Sequence, residues 1–69
     1  MKLSARNIIK GKIVALTTGA TTTHVKIEVA EGFVITSSIT NEAAQDLGLA
    51  VGAEAFAVIK SSDVIIGIA

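Results

Sequence analysis

The sequence predicts an all-β protein with one short helix. Three observations lead there. From residue 11 onward, runs of β-branched and aliphatic residues alternate with glycine-bearing turns. One stretch alone, TNEAAQDLG, carries helix start and stop signals, and no Pro-rich or low-complexity segment interrupts the pattern.

The first strand, KIVALTT, follows Gly11. The second, TTTHVKIEVA, alternates strictly, placing Val25, Ile27 and Val29 on one face and His24, Lys26 and Glu28 on the other. Thr18-Gly19-Ala20-Thr21 and Glu31-Gly32 separate the first three runs, with glycines where hairpin turns need backbone freedom. The third strand, FVITSSI, gives way to the helix at Thr40 or Asn41, either of which can cap it. Glu42 lies in the first turn, where the helix dipole favours a negative charge, and Gly48 can end the helix in the left-handed conformation. Ile39, just before the cap, is placed to pack on the first turns. After a Val51-Gly52 turn come a fourth strand, AEAFAVIK, the break SSD, and a last strand, VIIGIA. The order β-β-β-α-β-β is that of a five-stranded OB-like barrel, although order alone also admits a small barrel of another kind.

A chain of 69 residues forms one domain near the lower limit for a self-sufficient core, and it has no Cys and only isolated His and Met residues to reinforce it. Hydrophobic residues make up 51% of it, and strands such as Ile13-Val14-Ala15-Leu16 and Phe56-Ala57-Val58-Ile59 are apolar on both faces. A lone small barrel leaves one of those faces wet, so the expectation is an obligate homo-oligomer.

Six basic and six acidic residues cancel, leaving no long-range field to gather nucleic acid or an anionic membrane. The N-terminus lacks the apolar run of a signal peptide, and Val64–Ala69 is too short to span a bilayer; the expected location is the cytoplasm.

Enzymatic chemistry is poorly provided for. His24 has no evident nucleophile or carboxylate partner, the carboxylates are scattered over different elements, and no phosphate-binding loop or dinucleotide fingerprint is present. Binding of single-stranded nucleic acid needs aromatic platforms along a basic groove, and only Phe33 and Phe56 are available. What stands out is small hydroxyl donors beside isolated cations: Ser4-Ala5-Arg6-Asn7, Thr36-Ser37-Ser38 and Lys60-Ser61-Ser62, each expected at a strand end. A tetrahedral dianion needs compensating positive charge and a shell of N–H and O–H donors, which these clusters can furnish; loop serines beside solvated cations would read the same way.

Ser4-Ala5-Arg6-Asn7 followed by Lys10-Gly11-Lys12-Ile13-Val14 resembles the SARN-x-x-KGKV opening of molbindins and related Mop domains. Ile35-Thr36-Ser37 resembles their ITS strand, and Val58-Ile59-Lys60-Ser61-Ser62-Asp63-Val64 their V-K-[AS]-[ST]-[DE]-V segment. Ile8 and Ile9 depart from the pattern, standing where a polar Gln is common. The resemblance spans essentially the whole chain and implies a single Mop domain over residues 1–69. It also implies an OB-like fold assembled as a hexamer, a trimer of dimers, with molybdate or tungstate held between subunits and no organic cofactor or protein-ligated metal. Carried over, Arg6 and Lys60 supply charge. Ser4, Thr36, Ser37 and Ser61, with the amides of Ala5, Asn7 and Ser62, supply hydrogen bonds. A site made only of donors discriminates against phosphate, whose proton near neutral pH wants an acceptor, while sulfate must be rejected by size. The leading functional expectation is an intracellular molybdate store. A sensory module that reports oxyanion status to a partner protein and an OB-fold nucleic-acid binder stand as alternatives.

Overall fold

The computed structural model describes the whole chain, Met1–Ala69. Its elements are β1 (Asn7–Thr18), β2 (Thr22–Ala30), β3 (Phe33–Thr40), α1 (Asn41–Leu47) and β4 (Glu54–Ile59), followed by a 3-10 turn over Ser61–Asp63. The strands form one antiparallel sheet in the order β3-β2-β1-β4.

β1 begins at Asn7, well before the Lys12 start that its composition suggests, because it serves two partners in turn. Asn7 to Lys12 pair with β4, and Lys12 to Thr18 pair with β2. Gly11 sits next to the changeover. A Cβ there would lie 2.5 Å from Ile27 Cγ2 and 2.6 Å from the Glu28 carbonyl oxygen, so only glycine lets the strands approach this closely. Val14 and Val29 are the extra residues of two register shifts, one in β1 and one in β2, which add the bend and twist a curled sheet needs.

The alternation read from β2 is borne out at its centre: Thr23, Val25 and Ile27 are buried while His24 and Lys26 are exposed. Ile13, Val25, Ile27 and Ala57 form the core, with Leu16, Ile35, Ile39 and Leu49 packed around them. The helix also follows its signals. The Ala43 N–H donates to the Thr40 hydroxyl, and Gly48 closes the helix at φ 62°.

The fifth strand does not form, so in place of the expected five-stranded OB-like barrel this chain has an open four-stranded sheet. VIIGIA has strand-forming composition, but a strand also needs an edge to pair with. The 3-10 turn at Ser61–Asp63 breaks the chain after β4, leaving Ile65, Ile66 and Ile68 at 91%, 83% and 96% exposure. Between the β3 and β4 edges lies an apolar cleft of about 390 Å³, its walls including Ile13, Val25, Ile27, Ile39, Phe56 and Val58. No helix is long and apolar enough to cross a membrane.

Candidate functional site

Asn7 and Ile59 are the terminal pair of the β1–β4 ladder. This pairing sets Ser4-Ala5-Arg6-Asn7 beside Lys60-Ser61-Ser62, although more than fifty residues separate them in sequence. The Asn7 side chain reinforces the junction, its Nδ2 donating to the Ile59 carbonyl at 3.2 Å. Ile59 also lines a cleft of about 460 Å³ together with Thr36 and Ser37, so the third donor cluster faces the same end of β4.

Thr36, Ser37 and Ser38 lie inside β3, not at its end as expected, because the strand continues to Thr40. Their side chains therefore alternate. Ser37 is half-buried on the same side as Ile35 and Ile39, while Thr36 and Ser38 are exposed on the other. Ser37, unlike Thr36, also borders the apolar cleft between the β3 and β4 edges.

Arg6 and Lys60 are exposed, and the chain's one ion pair is elsewhere, between Lys10 and Glu54 at 3.6 Å. Both cations are thus free of carboxylate partners. In the 3-10 turn the Asp63 N–H donates to the Lys60 carbonyl and the Val64 N–H to Ser61. The first amides of the turn, at Ser61 and Ser62, precede these bonds and remain open to another acceptor. Ala5 is half-buried, whereas Ser4, Ser61 and Ser62 are exposed. Within one chain, the start of β1 and the end of β4 thus bring hydroxyl and amide donors near two positive charges that have no carboxylate partner.

The sequence pattern marked Asn7 for its backbone amide only; its side-chain bond to Ile59 went unread. The available signal was an Asn at the first position of a strand whose partner strand ends in a turn, and that partner could be known only once the ladder was known.

By architecture, this is a small, open OB-like β domain with a donor-rich end. The TOBE domain family profile matches residues 3–66. Molybdenum-pterin-binding protein 1 of Clostridium pasteurianum is 50% identical over 66 residues, covering 96% of this chain and 97% of that protein. The structure of MopII from Clostridium pasteurianum (apo2) matches with a TM-score of 0.90 at 46% identity, over 97% of this chain and 100% of that one. The cytoplasmic molybdate-binding protein ModG, solved with molybdate bound, matches with a TM-score of 0.94 at 46% identity, over 100% of this chain and 49% of that one. This chain belongs to the TOBE-domain family and, within it, to the molbindin or Mop proteins.

Proposed function

We propose that this protein binds molybdate or tungstate without transforming it, as a single Mop domain over residues 1–69. Arg6 and Lys60 neutralise the dianion, and Ser4, Thr36, Ser37, Ser61 and the amides of Ala5, Asn7 and Ser62 direct hydrogen bonds to its oxygens. The observation that carries this reading is the convergence on Ile59, which pairs with Asn7, precedes Lys60 and shares a cleft with Thr36 and Ser37. Hydrogen bonds to a charged group contribute roughly 1.5–3 kcal/mol each, so several of them offset the cost of drawing the dianion out of water. The molybdate-binding proteins among its structural relatives support the choice of ligand.

The donor shell is open on one side within a single chain, and a second subunit closes it. Only five residues are buried, while Ile8, Val14, Phe33, Phe56 and Val58 are exposed along the sheet. Apolar surface of this extent calls for a homo-oligomer, and the family resemblance implies a hexamer built as a trimer of dimers. In that assembly, the unpaired Val64–Ala69 segment of one subunit is suited to the apolar cleft between β3 and β4 of another. The protein then serves as a molybdate store in the cytoplasm.

The test is thermal unfolding with molybdate, tungstate, sulfate and phosphate at equal concentration. A ligand at a hundredfold its Kd stabilises the folded state by about 2.7 kcal/mol per independent site. An upward shift with molybdate and tungstate alone supports the reading, and equal small shifts or none with all four, matched by calorimetry, overturn it.

A further inference from the structure

Asn7 carries the only side-chain hydrogen bond that links the start of β1 to the end of β4. Its acceptor is the Ile59 carbonyl, the last backbone acceptor before Lys60 and a residue of the cleft shared with Thr36 and Ser37. A carbonyl oxygen there is the wrong group for a dianion. It repels a fully deprotonated oxyanion and offers a hydrogen-bond partner to any oxyanion that keeps a proton. With its Nδ2 on that oxygen, Asn7 offsets part of the oxygen's partial charge and occupies one of its two lone pairs.

We propose that Asn7 is a specificity-determining residue, which weakens the Ile59 carbonyl as an acceptor and so favours molybdate or tungstate over phosphate. The proposal rests on the oxyanion-binding reading above and adds to it the means of rejection. Phosphate near neutral pH carries at least one proton, and a carbonyl that already accepts from Asn7 is a poorer partner for it. Sulfate has no such proton, so Asn7 does not discriminate against it.

The difference between phosphate and sulfate separates this role from simple bracing of the turn. Loss of bracing alone weakens all three anions in proportion. Uncovering the carbonyl instead weakens molybdate and sulfate together and spares phosphate.

The experiment is displacement calorimetry on the full-length assembled protein, with bound molybdate competed by phosphate or by sulfate, for the native protein, Asn7→Ala and Asn7→Asp. In Asn7→Ala the selectivity for molybdate over phosphate is expected to fall about fivefold, the order that one hydrogen bond contributes, while that over sulfate stays constant. Asn7→Asp keeps the side-chain shape, replaces the donor with an acceptor and adds negative charge, so it should bind molybdate more weakly than Asn7→Ala and lose selectivity against phosphate in the same direction. It also provides the readout should Asn7→Ala fail to fold. Unchanged selectivity against phosphate, or an equal change against sulfate, overturns the proposal and leaves the binding reading standing. A native protein that binds no molybdate ends both.

Discussion

The buried Thr23 hydroxyl donates a 2.7 Å hydrogen bond to the Asn41 side-chain oxygen, joining the second strand to the first residue of the helix. Asn41 donates in turn from Nδ2 to the Gly19 and Ala20 carbonyls at 3.0 and 3.3 Å, and from its backbone N–H to Thr21 at 3.0 Å. One side chain therefore fixes the β1–β2 turn, β2 and the entry to α1 together. Asn41→Ala removes the side-chain bonds and strands a buried hydroxyl, and it should lower stability by about 1–3 kcal/mol in chemical unfolding. Thr23→Val removes one bond and keeps the shape, so its cost should be smaller. Equal costs would mean that the turn contacts of Asn41 contribute nothing.

Gly11→Ala should be among the most damaging single-methyl changes in the chain. The added carbon meets the Glu28 backbone oxygen at 2.6 Å, and backbone in a paired strand cannot step aside as a flexible side chain can. Overpacking of this kind costs about 1–3 kcal/mol. Gly67→Ala adds a carbon with nothing within 4 Å inside the chain, so it should cost the fold of the subunit far less than Gly11→Ala.

Arg6→Ala should weaken molybdate binding at least tenfold by titration calorimetry while the protein stays folded and assembled. The side chain is exposed and has no carboxylate partner, so its removal breaks no ion pair within the chain. A tenfold loss corresponds to about 1.4 kcal/mol, within the range of one charge-assisted contact. Unchanged affinity removes Arg6 from the site.

Local chemistry made the helix readable: Thr40, Glu42 and Gly48 each carry their own signal, and all of it survives in the fold. The β2 pattern was readable for the same reason, because alternation is a property of neighbours. The start of β1 was not. Ile8 and Ile9 take strand geometry from pairing with Val58 and Ala57, contacts that no local window contains. In the candidate site, the residues of the three clusters were visible from motif, but the half-turn that separates Thr36 from Ser37 emerged only with the length of β3. The terminal segment reads as a strand and forms none within the chain, because composition states what a strand is made of, not which edge it pairs with.

That segment gives the last prediction. Val64–Ala69 is apolar and extends past the sheet, with Ile66 at 83% exposure, while the cleft between the β3 and β4 edges is lined by aliphatic side chains and Phe56. Exposed aliphatic surface costs about 25 cal/mol per Å², so leaving both halves in water is unfavourable when a second subunit can bring them together. Ile66→Asp places a charge where that contact forms but disturbs nothing inside the chain, since Ile66 makes no core contact. The substitution should therefore shift the assembly towards smaller species in light scattering while the circular dichroism of the strands persists. It should also weaken molybdate binding without touching Arg6 or Lys60, because a site completed by a second subunit is lost when the subunits part. If the mass stays unchanged and molybdate affinity is retained, the segment lies outside the interface, and the open side of the donor shell must be closed through the exposed sheet face of Ile8 and Val58 instead.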